Sequence, residues 1–281
     1  MLAELIDRRS VKAEARRTLE SAQVSPRAFT ALYFALVLVL NLVDSLTGEG
    51  VLSVFVSVLA LLMTVVLRAG YQLYGMAVRR GERAEYLTVF DGFSFAGKLI
   101  ALFLLEFMFV FLWSLLFTIP GIVAVYRYRF AVLNLCENPD LGPMEALNMS
   151  KRQTLGYKSQ LFGLDLSYLG WTVLASLPLL VYNGAVTYET MQAAAGYYGL
   201  EAAALPLDIT ALLPLWGWTL VIGLWNLAVS VFYMPAYLCS ELAYFDTAKR
   251  TSGVGASRTP AALSRGEGPS EQDGPQDPYD F

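Results

Sequence analysis

The chain contains no histidine. That excludes histidine general bases, His-ligated zinc and bis-histidine haem, and no Ser-His-Asp set can be built. It has two cysteines, Cys136 and Cys239. They are far apart in sequence and form no CxxC pair, so they read as buried or interfacial free thiols rather than a redox or metal motif. Charge is scarce: 16% of residues are charged, against about a quarter in soluble domains. The acidic residues show no spacing that resembles a metal site, and no paired residues suggest a carboxylate or tyrosine mechanism. The expectation is a protein that is not an enzyme and carries no cofactor. Met1–Val24 lacks the apolar core and small-residue cleavage site of a signal peptide.

What the chain has is apolar sequence in long blocks: 56% of residues are hydrophobic and the mean hydropathy is +0.49. A membrane-crossing helix needs about 20 predominantly apolar residues, and several stretches supply them. The fold class expected is therefore all-α, a polytopic membrane protein with one bundle. Residues 1–27 read as a basic, weakly amphipathic cytoplasmic helix, with Leu2, Leu5, Ile6, Val11 and Leu19 among Arg8, Arg9, Lys12, Arg16 and Arg17. Such a helix suits the surface of an anionic leaflet. Spans are expected at about 28–46, 51–71, 99–118, 120–136, 161–182 and 212–237 within a transmembrane domain over 28–246. The Gly-, Pro-, Ser- and acid-rich stretch 247–281 is expected to be a disordered tail.

The count of six rests on the distribution of Lys and Arg. Basic residues fall in the N-terminal segment, in the Arg79–Lys98 loop, in Glu137–Gln160 (Lys151, Arg152, Lys158) and after Thr247. The turn Thr47–Gly50 and the long loop Asn183–Asp208 have none. The positive-inside rule then places both termini and Glu137–Gln160 in the cytoplasm. The chain must cross twice between Lys98 and Lys151. The stretch Lys98–Cys136 has room for two passages of about 18 residues with a tight turn, and Ile119-Pro120-Gly121 supplies the break.

On this topology Arg127 and Arg129 lie inside the fourth span, a position that costs a charge roughly 2.5–3.5 kcal/mol on insertion scales. They are two residues apart, so about 200° apart around a helix, and cannot share one partner. Glu106 in the third span and Asp165 in the fifth are the acids placed to neutralise one of them. Arg127, Arg129, Glu106 and Asp165 are thus the candidate polar, lipid or substrate contacts, as a functional site or as a packing pair. Glu137–Lys158 reads as a turn at Asn138-Pro139 followed by a short interfacial helix, with Pro143 and Glu145 in its first turn and Met144, Leu147 and Leu155 on its apolar side. Gly92–Leu99 imitates a phosphate loop, but Leu99 stands where the Ser or Thr belongs and no strand precedes it. The expected partners are the bilayer and its anionic inner-leaflet lipids, with a membrane or cytoplasmic protein as a further candidate and no nucleic acid.

Tyr126 and Tyr128, the Asn138-Pro139 turn, Glu145-Ala146, Ser150, Gly156-Tyr157-Lys158 and Ser167 through Gly170-Trp171 form a pattern. With "VFDGFSFAGK" and the basic "RRSVKAEARRTL", it resembles a family of uncharacterised bacterial integral membrane proteins, the domain of unknown function 975. That family is distantly similar to the membrane domain attached to some glycerophosphodiester phosphodiesterases, which has no catalytic residues of its own. The resemblance implies a non-enzymatic multi-span module of the bacterial cytoplasmic membrane and transfers no site residues. The functional expectation is a module that organises lipids or protein partners; the alternative is a transporter or permease for a small or anionic substrate.

Overall fold

The computed structural model describes residues 4–48, 50–197 and 210–255. Most of these residues are helical, with no strand among them. The helices are α1 (Arg8–Glu20), α2 (Pro26–Leu46), α3 (Val51–Arg80), α4 (Ala96–Leu116), α5 (Thr118–Tyr128), α6 (Ala131–Glu137), α7 (Pro143–Gln153), α8 (Lys158–Tyr197) and α9 (Leu215–Ser252). A 3₁₀ segment, Tyr86–Phe95, leads into α4. Five helical stretches are long and apolar enough to cross a membrane: Pro26–Leu46, Val51–Arg80, Tyr86–Leu116, Lys158–Tyr197 and Leu215–Ser252.

The segment from Phe117 folds back along α4. Phe117 is extended (φ −161°, ψ 149°), which ends α4 and starts α5 in a single residue. Phe109 and Tyr128, on opposite sides of that turn, lie ring to ring at 5.9 Å. At the far end of the hairpin, Lys98 Nζ donates to the Pro139 carbonyl at 2.5 Å. Gly121 makes the close approach possible, since a Cβ there would overlap Ser114. The returning arm of the hairpin is two short helices, α5 and α6, rather than the one continuous helix expected over 120–136, and neither is long enough to count as a crossing helix by itself.

Packing is uneven along the bundle. The fully buried large side chains, among them Phe29, Leu99, Phe130, Leu147, Tyr157 and Tyr244, cluster where the C-terminal halves of α3 and α9 meet α6 and α7. The opposite halves of α3, α4, α8 and α9 expose Phe55, Phe107, Leu180 and Leu224. Exposed apolar surface on this scale is what lipid-facing helices present. The densely packed end also carries the basic segments, and is called the basic end below. Salt bridges tie it together: Glu137 of α6 binds Arg80 of α3 (2.9 Å) and Lys249 of α9 (2.6 Å), and Arg79 binds Asp246 (3.0 Å) and Glu14 of α1 (3.5 Å).

Several sequence expectations change here. Helix α8 continues to Tyr197 and α9 to Ser252. The first fifteen or so residues of the expected 183–208 loop and the start of the expected tail at 247 are therefore helical. Ala248 is buried, and Gly253 (φ 68°) closes α9. The remainder of the tail, 256–281, and of the loop, 198–209, lies outside the described residues. Within the Arg79–Lys98 connection, Tyr86–Phe95 is a 3₁₀ segment packed on α3 so closely that a Cβ on Gly70 would overlap the Val89 carbonyl. Helix α1 does not offer all its apolar residues to a leaflet, because Val11 and Ala15 are buried, while α1 packs on α9. In α7 the buried face is Ala146, Leu147, Ser150 and Gln153; Met144 and Leu155 are exposed.

Candidate functional site

The site is created by a break in the returning arm of the hairpin. Between α5 and α6, Arg129 and Phe130 leave the helical ladder. A break inside an apolar bundle strands backbone groups that need partners. Helix α7 provides them. Phe130 N–H donates to Ser150 Oγ at 3.1 Å. The Arg127 carbonyl accepts from Ser150 Oγ at 2.9 Å and from Thr154 Oγ1 at 3.2 Å. Asn134 and Gln153 exchange amide hydrogen bonds of 2.8 Å and lock α6 to α7 just beyond.

The break aims Arg129 at α8 and α9. Its guanidinium holds Asp165 with both prongs, NH1 to Oδ2 at 2.7 Å and NH2 to Oδ1 at 3.0 Å. Its Nε donates to Glu241 Oε1 at 2.7 Å, and NH2 also meets the Tyr237 hydroxyl. Tyr126 and Tyr237 each donate to Asp165 at 2.8 Å. The side chains of Arg129 and Glu241 are 13% and 8% exposed. Paired, two-pronged contacts of this kind are the strongest polar interactions available to a guanidinium. They neutralise a charge that would otherwise be costly to bury. With both carboxylates ionised the group holds one positive and two negative charges. It clamps the α5–α6 break to α8 and α9.

Of the four residues expected as a site, the structure joins Arg129 and Asp165. Glu106, half-buried on α4, has no ion pair or hydrogen bond among the described residues. Arg127 points elsewhere and likewise makes no salt bridge there; it lies near Lys151, whose pKa is lowered by burial and then by the Arg127 charge. Glu241 and Tyr237 were missed by the sequence reading. They stand four apart on one face of α9, a spacing legible in the sequence, but the expected span ended at Tyr237 and excluded Glu241.

The remaining polar features divide by location. The carboxylate-paired cations are Arg79, Arg80, Arg129, Lys249 and Arg250. Among the described residues, Arg8, Arg9, Lys12, Arg16, Arg17 and Arg27 make no salt bridge. Away from the basic end, a cavity of about 620 Å³ between α2, α3, α8 and α9 is lined by Asn41, Asp44, Ser57, Ser176, Thr219 and Asn226 with apolar neighbours. Asp44 there accepts from Ser57 Oγ at 2.5 Å. Both cysteines are buried free thiols. No group of three or more acidic or sulfur ligands stands together among the described residues.

Residues 118–204 match the family described as "Protein of unknown function (DUF975)". This segment contains α5, the break, α6, α7 and α8, and so contributes Tyr126, Arg129, Ser150 and Asp165 to the clamp; Tyr237 and Glu241 come from outside it. No curated protein and no solved structure matches the chain.

Proposed function

We propose that the protein is a non-enzymatic membrane module whose basic end engages anionic lipid headgroups or an acidic protein partner at the inner face of a bacterial cytoplasmic membrane. The observation that carries this reading is the division of the charges. Arg79, Arg80, Arg129 and Lys249 are matched by carboxylates, whereas the six N-terminal cations pair with no carboxylate among the described residues. Each Lys or Arg near an anionic leaflet contributes about 1 kcal/mol. In this reading the hairpin of α4 with α5–α6 supplies the third and fourth of six crossings, and both termini are cytoplasmic. Helices α1 and α7 sit at the membrane–water boundary, consistent with their mix of buried and charged faces. Extraction of the full chain in polymer nanodiscs tests it. Co-purifying lipid enriched in anionic species over the bulk membrane, or a reproducible protein partner, is expected; lipid of bulk composition with no partner would sink the reading.

A second reading, transport of a small polar substrate, is favoured by the cavity around Asp44, which places several hydrogen-bonding groups among otherwise apolar helix halves. Proteoliposomes containing a pH-sensitive dye test its simplest form, a proton or ion leak that Asp44→Asn abolishes. Vesicles as tight as protein-free controls count against it.

A further inference from the structure

At the basic end a second cavity of about 620 Å³ opens between α1, the start of α2, α8 and α9. Lys12, Arg16 and Arg27 line it, with Glu20 as the one carboxylate among its lining residues. None of the three cations makes a salt bridge among the described residues. Lys12 reaches only the Ser167 carbonyl, at 3.5 Å, and the face of Tyr168, 4.1 Å from the ring centroid. Arg27 lies 5.8 Å from the Phe232 ring. The pKa of Lys12 is lowered, first by burial and then by the Arg16 and Arg8 charges, which marks an excess of positive charge in a partly dry place. Pro26, in the first turn of α2, also lines the cavity, so the positive end of that helix faces the same space.

The rest of the wall is aromatic. Tyr168 and Trp171 of α8 and Phe232 and Tyr233 of α9 form it, with Trp171 and Tyr233 stacked at 6.1 Å. Trp171 and Phe232 are exposed on the outer surface, at 45% and 64%, next to the apolar halves of the same two helices. The cavity is therefore polar and cationic on the side of α1 and aromatic on the side of the lipid-facing helices. A soluble anion would use the first part only; an amphiphile uses both.

We infer that this cavity is a binding site for the phosphate headgroup of an anionic membrane lipid, with Lys12, Arg16 and Arg27 on the phosphate and Trp171 and Phe232 against the first part of the acyl chain. The inference rests on the lipid-engaging reading above and gives it an address. Arginine and lysine together supply the forked and point-charge donors that phosphate oxygens accept, and interfacial aromatic rings pack at headgroup depth.

The full chain in phosphatidylcholine nanodiscs, titrated with phosphatidylglycerol, tests the site. Quenching of tryptophan fluorescence by brominated phosphatidylglycerol should exceed that by brominated phosphatidylcholine, and the excess should vanish in Trp171→Phe. This measurement needs no loss of charge and so survives any failure of charge variants to fold. Lys12→Gln/Arg16→Gln/Arg27→Gln should weaken the phosphatidylglycerol preference at least tenfold, about 1.4 kcal/mol, and several-fold more than Arg9→Gln/Arg17→Gln/Arg152→Gln, which removes the same charge outside the cavity. Equal losses in the two triple variants would overturn the site in favour of diffuse surface charge. Absence of any Trp171-dependent excess would overturn it too, even if anionic lipid still co-purifies and the broader reading stands. Inorganic phosphate that displaces the lipid mole for mole would reassign the cavity to a soluble anion and overturn the lipid assignment.

Discussion

Arg129 grips Asp165 through two parallel hydrogen bonds of 2.7 and 3.0 Å across the junction of α5, α6 and α8, while its Nε is held by Glu241 from α9. One guanidinium thus fastens three parts of the chain that are far apart in sequence. Four of its five N–H donors are occupied by protein groups, which is why the arrangement is a clamp.

Removal of the central cation should be the most damaging change in the clamp. Arg129→Met leaves Asp165 and Glu241 facing each other without a counter-charge, and breaking a buried pair in this way costs about 3–5 kcal/mol. Glu241→Gln removes one of two carboxylates and keeps a hydrogen-bond acceptor, so it should cost much less. The double variant should recover part of the Arg129→Met loss. Thermal unfolding in detergent across this cycle checks the coupling; additive effects would show that Arg129 and Glu241 do not act together.

Ser150→Ala removes the hydroxyl that serves both Phe130 N–H and the Arg127 carbonyl. The stranded backbone donor should cost about 1–3 kcal/mol. Thr154→Val should be milder, because its bond to Arg127 is longer and Ser150 still serves that carbonyl. Reversal of this order in melting temperature would mean that α7 does not stabilise the break.

Two glycines separate packing from propensity. Gly121→Val should disrupt the hairpin, since even a Cβ overlaps Ser114; reduced yield of folded protein in size-exclusion profiles is the expected result. Gly97→Ala, with open space at its Cβ, should be neutral or stabilise α4 by up to about 1 kcal/mol.

Topology is best read from introduced thiols, because Cys136 and Cys239 are buried and would react poorly from either side. In a background of Cys136→Ala and Cys239→Ala, Glu189→Cys should label with an impermeant maleimide on intact cells. Glu82→Cys should label only after permeabilisation. Both positions are exposed. Labelling of Glu82→Cys from outside would invert the proposed orientation.

The apolar blocks and the alternation of basic segments are one-dimensional properties, and they suffice for an all-helical chain with several membrane-compatible helices and for a fold-back near Pro120 and Gly121. Helix ends were less legible. Hydropathy reports where a helix leaves an apolar environment, not where its hydrogen bonding stops, so α8 and α9 run well past the expected limits of 182 and 237. The pairing of Asp165 with Arg129 was one of several that spacing allowed. What selected it was the break at Arg129–Phe130, and that break exists because hydroxyls of α7, about twenty residues further on, satisfy the backbone groups it frees. Glu241 and the cationic cavity beside α1 depend in the same way on contacts between distant segments. The sequence by itself therefore determined the helical class, its apolar blocks and the supply of charges. Only the tertiary structure decided which charges neutralise one another and which are left facing outward, because ion pairing depends on distances of a few ångströms between residues that sequence order does not bring together.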